Sequence, residues 1–311
     1  MSARRRGATD LAGILLVDKP AGPTSHDVVA AVRRATGEGR VGHAGTLDPM
    51  ATGLLVVLVG PYARLEPYLS SATKSYEATI TFGSATDTDD AEGEVVATAD
   101  IPFRVLEAGH AREALAAIIG DGTQTPPAYS AIKVAGRTAY EAARAGEALE
   151  LATRTITISR AELCAIREDP ASWDVTLTVS KGTYIRAIAR DIGESEGTRA
   201  HVTALRRTQA GTLSVAGARS LETVTAEAES GGPSAIRGMF ADPLAALDLP
   251  CVASDRATVV TGKRIPSALA SAEARDGSRI AVTVDGILAA VYRVAGDALL
   301  PEVVLLRGDP A

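Results

Sequence analysis

Gly42-His43-Ala44-Gly45-Thr46-Leu47-Asp48-Pro49-Met50-Ala51-Thr52-Gly53-Leu54-Leu55 is the stretch on which the reading of this chain turns. Residue by residue it is ordinary: Asp48-Pro49 is a turn initiator, and the glycines suit a loop. Immediately beyond it, Leu54 to Val59 is an apolar run with β-branched residues between Gly53 and Gly60-Pro61, which predicts a buried strand.

Working upstream, Gly13 to Val17 predicts a buried strand that stops at Asp18-Lys19-Pro20 and Gly22-Pro23. A helix follows, capped by Thr24 or Ser25, with Val28, Val29, Val32 and Ala35 as its apolar stripe and Gly37 as its stop. Gly37-Glu38-Gly39-Arg40-Val41-Gly42 matches G-x-G-x-x-G, which raises a nicotinamide-dependent oxidoreductase. The context opposes it: that fingerprint follows a strand and opens a helix, whereas here it follows a helix and runs into His43 to Pro49. No P-loop lysine and no G-x-S-x-G elbow occur.

Downstream, Tyr76, Ala78, Ile80 and Phe82 alternate with Glu77, Thr79 and Thr81, as a half-buried strand does. Asp87, Asp89, Asp90 and Glu92 suggest a calcium loop, but the glycine falls at Gly93 instead of the sixth position and no twelfth-position glutamate follows, so no metal is expected. A short helix at Arg112 to Ile119 precedes a turn-rich stretch, Gly120-Asp121-Gly122 and Gln124-Thr125-Pro126-Pro127. From Thr123 to about Leu151, Tyr129, Lys133, Arg137, Tyr140 and Arg144 interleave aromatic and basic side chains; an RNA contact and an ordinary surface insertion explain that equally well. Val175, Leu177 and Val179 alternate as a strand, and Ile185, Ile188, Ala189 and Ile192 form a helix stripe. Ser220 to Phe240, rich in small and polar residues, reads as a linker or boundary. Beyond it, Asp285-Gly286 between two β-branched runs is a hairpin signal, so the last 60 or so residues read as a small β-rich domain.

With 311 residues, 46% of them hydrophobic, the chain can bury a sizeable core in one large domain and a smaller companion. No run approaches the roughly 18 apolar residues of a membrane span. Met1 to Arg6 carries three arginines without an apolar signal region, and reads as a basic tail. Two widely separated cysteines, Cys164 and Cys251, fit a reducing cytoplasmic setting. The net charge of -6 disfavours a globally basic nucleic-acid binder. Arginines still cluster at Arg33, Arg34 and Arg40, at Arg186, Arg190 and Arg199, and at Arg206 and Arg207.

Taken whole, Gly42 to Leu55 closely resembles the signature of the TruB family of tRNA pseudouridine synthases, G-x-L-D-P-x-A-[ST]-G. Lys19-Pro20 with Ser25 and Asp27, Lys74-Ser75-Tyr76, Ser180-Lys181-Gly182-Thr183-Tyr184-Ile185-Arg186, and His201, Val202 and Leu205-Arg206-Arg207 agree with further family motifs in order and spacing. The resemblance implies an α+β pseudouridine synthase fold: a mixed, largely antiparallel sheet with helices over 13–240, an RNA-binding insertion at about 123–151, a flexible tail at 1–12, and a PUA-like RNA-binding domain at 245–311. It implies isomerisation of the uridine at position 55 in the T arm of tRNA, with Asp48 as catalytic carboxylate and Arg186 as the cation beside it. Tyr76 is expected to stack on the target uracil and to sit near the proton that moves, Tyr184 and Leu205 to line the base pocket, and Asp90 to flank it. His43 is expected to fill the gap left when the uridine flips out. The carboxylate serves attack at C1′, addition at C6, or a glycal route alike. No cofactor is needed, the partner is the tRNA T arm, and the chain is expected to act as a monomer without membrane or protein partner. The alternative of a different class is a catalytically silent RNA-binding or chaperone protein on the same fold.

Overall fold

The computed structural model describes residues 9–130, 132–134, 136–139, 142, 147, 149, 151–270 and 275–306. The arginines of the expected basic tail, with Tyr140 and Arg144 of the expected insertion, lie outside the described residues. In chain order the main elements are β1 (Gly13–Lys19), α1 (Ser25–Thr36), β2 (Val41–His43), β3 (Thr52–Val59), β4 (Lys74–Phe82), α2 (Ala108–Ala117), β5 (Gly120–Gln124), β6 (Arg154–Glu168), β7 (Ala171–Val179), α3 (Ile185–Ser195), β8 (Ala200–Ala210) and α4 (Leu221–Gly231). Five further strands follow: β9 (Cys251–Ala253), β10 (Ile265–Pro266), β11 (Arg279–Val284), β12 (Ile287–Ala295) and β13 (Ala298–Val304).

The contacts divide the chain into two compact units. One holds the described parts of Met1–Leu47, Leu54–Ser70 and Gly211–Ala311; the other holds Asp48–Gly53 and Ser71–Ala210. In the first unit, β1 pairs in parallel with Arg219–Ser220 and antiparallel with Phe240–Ala241, while β2 pairs antiparallel with β3. Helix α1 begins as its sequence dictates. The Thr24 hydroxyl accepts from the Asp27 N–H, the Asp27 carboxylate accepts from the Thr24 N–H, and Gly37 closes the helix in the left-handed conformation. The first and last glycines of the dinucleotide-like stretch are thereby used up, Gly37 as a helix cap and Gly42 inside β2.

The second unit is built on four antiparallel pairings, β8 with β4, β4 with β7, β7 with β6, and β6 with β5. At the start of β3, Thr52 and Gly53 pair in parallel with Arg206 and Arg207 of β8. Strand β4 is more buried than simple alternation predicts, because Thr81 on the expected polar side is buried and shares a hydroxyl hydrogen bond of 2.7 Å with Thr203. Trp173 of β7 is fully buried, edge-on to Phe82, and its indole N–H donates to the Val105 carbonyl.

Two expectations are corrected. Gly120 to Gln124, expected as turns, is an edge strand whose exposed glycines are held by ladder bonds to Arg154–Ile158. Pairing supplied by a neighbour overrides weak local propensity. Ser220 to Phe240, expected as a linker or boundary, is not an unstructured linker: it contains α4 and a 3-10 turn at Pro233–Met239. The Ser220 hydroxyl caps α4 at the Thr223 N–H, and Val224, Ala228 and Ile236 are buried. Tertiary packing rather than propensity stabilises so short a helix.

The C-terminal strands form a sheet of order β9-β11-β12-β13-β10 with its own core, in which Val259, Ile280, Val282, Tyr292 and Leu299 are fully buried. Asp285 and Gly286 both have positive φ, 51° and 76°, as a two-residue hairpin turn between right-twisted strands requires. This is the expected PUA-like β-rich element.

Glu38, also in the first unit, is fully buried just past α1. Its carboxylate accepts from the Thr9 N–H at 2.8 Å, from the Arg40 N–H at 3.0 Å and from the Arg40 guanidinium at 2.9 Å. Burial pushes its carboxyl up, but the bonds from Arg40 and Thr9 outweigh that and hold it at about 2, against an ordinary 4.5. A depressed carboxyl contributes stability that is complete above pH 4.5 and is lost as the pH falls toward 2. Glu38→Gln is therefore expected to melt below wild type at pH 7, with the gap closing as the pH is lowered through that window. A gap that stays constant with pH contradicts this account of Glu38.

Candidate active site

Asp48 opens the segment Asp48–Gly53 of the second unit, and its carbonyl accepts from the Ala51 N–H at 3.1 Å, closing a tight turn. The chain enters β3 at Thr52, and the next residue, Gly53, has φ +96°. A Cβ there would stand 2.3 Å from the Arg207 carbonyl oxygen of β8. Only glycine allows that backbone approach, so the turn carrying Asp48 is seated directly on the sheet. In the first unit, the residue before Asp48 is fixed as well. The Leu47 N–H donates to the buried Ser25 hydroxyl, which donates back to the Leu47 carbonyl.

Arg186 lies in the first turn of α3, and its side chain is 5% exposed. Helix α3 is amphipathic, with Ile185, Ile188, Ala189 and Ile192 buried, so the same face that packs inward carries the guanidinium inward. Its Nη2 donates to Asp48 Oδ1 at 3.0 Å and to the Tyr129 carbonyl at 3.0 Å. Its Nε lies 2.9 Å from Asp48 Oδ2, an ion-pair contact whose N–H is not aligned for a hydrogen bond. Its Nη1 donates to the Thr88 carbonyl at 2.7 Å and lies 3.4 Å from Asp90 Oδ2. Asp48 is 29% exposed, against 4% for Asp90. Of the two carboxylates on this arginine, Asp48 is the one an external molecule can reach.

Asp90 is built into a loop between the paired segments Ser84–Thr86 and Val95–Thr98. Its Oδ1 accepts from the Thr88 hydroxyl at 2.6 Å and the Glu92 N–H at 3.0 Å, and its carbonyl accepts from the Thr86 hydroxyl. Its contact with Arg186 is one the sequence did not assign.

Tyr76 and Leu205 share one face of the second unit's sheet. Tyr76 stands opposite Arg207 and Ala78 opposite Leu205, so the two are diagonal neighbours, and both are buried. Tyr184 immediately precedes α3. Its backbone is clasped by Gln124, which accepts from the Tyr184 N–H at 2.9 Å and donates to its carbonyl at 3.0 Å, while the Arg154 guanidinium sits 5.3 Å over its ring. His43 belongs to the first unit, opposite Val57 in the β2–β3 pair and edge-on to His26 at 5.6 Å. The structure thus joins Asp48, Arg186 and Asp90 directly. Gln124 and the carbonyls of Thr88 and Tyr129 are further parts of the arrangement that no sequence motif marked, since a backbone carbonyl has no residue-type signal. Among the described residues no cluster of His, Cys, Asp and Glu is arranged to hold a metal ion, and no helix is long and apolar enough to cross a membrane.

Residues 33–185 match the TruB family pseudouridylate synthase N-terminal domain, and 186–241 match the tRNA pseudouridylate synthase B C-terminal domain. The chain is 43% identical over 303 residues to tRNA pseudouridine synthase B of Arthrobacter sp. (strain FB24), covering 94% of this chain and 96% of the relative. The chain belongs to the TruB family of pseudouridylate synthases. Another relative, tRNA pseudouridine synthase B of Rhodococcus jostii (strain RHA1), is 50% identical over 236 residues, covering 73% of this chain and 75% of the relative. Among solved structures, the fold matches a chain of a Cbf5-Nop10-Gar1 complex with TM-score 0.71 at 24% identity, covering 95% of this chain and 85% of that one. A chain of an archaeal box H/ACA sRNP Nop10-Cbf5 complex matches with TM-score 0.70 at 22% identity, covering 95% of this chain and 86% of that one. The α+β pseudouridine synthase fold expected from the motifs is therefore the fold of this chain.

The close approach of Gly53 to β8 gives a direct test of how the Asp48 turn is seated. Gly53→Ala adds left-handed strain to an overlap with backbone, on the order of 3 kcal/mol together. Its melting temperature is expected to fall by several degrees; an unchanged melting temperature contradicts the described approach.

Proposed function

We propose that this chain converts a uridine in the T arm of tRNA to pseudouridine, with Asp48 as the catalytic carboxylate. One observation carries the reading. Within the stretch that resembles the family signature, the accessible Asp48 carboxylate is held by the buried guanidinium of Arg186. Membership of a pseudouridylate synthase family supports the reaction class, and the tRNA named for relatives similar over most of this chain supports the substrate.

The reaction breaks the C1′–N1 bond, turns the uracil and bonds C1′ to C5; the C5 proton leaves as N1 gains one. Atoms and electrons balance without a cofactor. What the protein contributes is a carboxylate at a fixed place, a pocket that keeps the detached ring, and a group near the moving proton. Asp48 is the first of these. Both its oxygens face Arg186, so the carboxylate is pre-oriented and its charge is partnered before substrate arrives. Tyr76, Leu205 and Tyr184 are assigned to the uracil pocket, Tyr76 as the stacking residue near the C5 proton. The shared sheet face of Tyr76 and Leu205 supports their assignment. Asp90 is assigned to the pocket flank, where it holds Arg186 from the side away from Asp48. His43 is assigned to the space vacated by the flipped uridine.

In this reading 13–240 form the catalytic domain, with an RNA-gripping insertion at about 123–151, and 245–311 a PUA-like domain that adds tRNA affinity. A core made only of residues from Val252 onward supports the second boundary. The enzyme acts as a single chain in the cytoplasm.

Asp48→Asn keeps the shape of the side chain and removes its charge. Pseudouridine formation in single-turnover reactions is expected to fall by at least about 10⁴-fold while tRNA affinity stays within about tenfold, because the carboxylate acts in the transition state far more than in ground-state contacts. A sizeable residual rate would remove Asp48 from the chemistry.

A further inference from the structure

Besides Asp48, Arg186 is held by two chain segments, Thr88–Asp90 and Tyr129, neither of which belongs to α3. A second arginine grips the same two stretches. Arg190 is one turn further along α3, on the same helix face as Arg186 by the four-residue spacing. Its Nη1 donates to Asp89 Oδ2 at 3.1 Å, and its Nη2 donates to the Thr125 carbonyl at 2.9 Å and to the neighbouring Asp191. The pair differs from an ordinary surface ion pair: the side chains of Arg190 and Asp89 are 24% and 13% exposed.

Asp89 is also in an unusual conformation. Its φ of 59° lies in the left-handed region, which a side chain other than glycine adopts at a cost. Its N–H donates to the Thr86 carbonyl and its own carbonyl accepts from the Val202 N–H, so its backbone is pinned to the loop and to β8 at once. Burial pushes the Asp89 carboxyl up, opposed by Arg190 first and Arg186 second, so removing Arg190 would take away the larger of the two opposing charges. The residues on either side of Asp89 are the ones that receive Arg186.

We propose that Arg190 is a positioning residue. Paired with Asp89 and bonded to Thr125, it locks the 88–90 loop and the 125–129 segment in the places from which their oxygens orient Arg186, and so fixes the guanidinium edge offered to Asp48. Arg190 itself touches neither Asp48 nor Asp90; it acts through the acceptors around Arg186. The inference rests on the proposed role of the Asp48–Arg186 pair and adds a residue whose type, an arginine in a helix, looks in sequence like one of a solvated cluster.

The test is a set of single-turnover rates at saturating enzyme on an unmodified tRNA transcript, with tRNA affinity measured in parallel. For Arg190→Ala we expect the rate to fall about 10- to 100-fold with affinity within about threefold of wild type, because orientation and not uniform binding is lost. Arg190→Lys, which can keep the Asp89 pair but not the bridge to Thr125, should recover part of the rate. In an Arg186→Lys background the further loss from Arg190→Ala should shrink to less than about threefold, the non-additivity expected of residues acting through one another. Asp89→Asn, which weakens the same pair with little change of shape, provides the test should Arg190→Ala fail to fold, and should lose rate in the same way. A wild-type rate in Arg190→Ala or Asp89→Asn, a loss wholly in affinity, or an equal loss with and without Arg186→Lys would overturn the proposal. Absence of pseudouridine in the wild-type reaction would instead overturn the underlying function and the proposal with it.

Discussion

A guanidinium taken out of water must find oxygen for its N–H groups, and the need to satisfy Arg186 constrains the rest of the second unit. Its three nitrogens face the Asp48 carboxylate, the Asp90 carboxylate and the carbonyls of Thr88 and Tyr129. Removing one partner of a buried, bonded charge pair costs several kcal/mol, because the remaining charge stays buried. The elements that supply those oxygens are correspondingly over-determined. Asp90 is bonded to Thr88, Glu92 and Thr86 within its own loop, and the Asp48 turn leads into a strand whose Gly53 rests against the backbone of β8.

The same constraint explains how two acids on one arginine can have different uses. Asp90 has its other oxygen bonded within its own loop and is almost wholly buried beside Arg186. Asp48 has both oxygens on Arg186 and is more exposed, so a carboxylate in a fixed frame stays within reach of an external molecule. Preorganisation of this kind lets a carboxylate meet a developing charge without rearrangement at the moment of reaction.

Much of this was legible in the sequence where side-chain chemistry and local geometry point the same way. The helix cap at Thr24, the left-handed stop at Gly37 and the Asp285-Gly286 turn are local devices, and each occurs where its residues predict. The motif around Asp48 and the one ending at Arg186 are 138 residues apart, and their meeting could be expected only from resemblance to a family. What escaped were features created by neighbours. Gly120 to Gln124 has no strand pattern and becomes one because β6 offers a free edge. Ser220 to Phe240 has the composition of a linker and becomes helical because Val224 and Ile236 find a buried surface. Carbonyl acceptors such as those of Thr88 and Tyr129 are invisible to residue type altogether.

The proposed role of the Asp48–Arg186 pair at the centre of a uridine isomerase is tested most directly by chemical mapping of pseudouridine in an unmodified tRNA transcript after incubation with the purified protein and no added cofactor. One pseudouridine is expected, in the T arm. A transcript that binds the protein yet emerges unmodified, or one modified only outside the T arm, would contradict it.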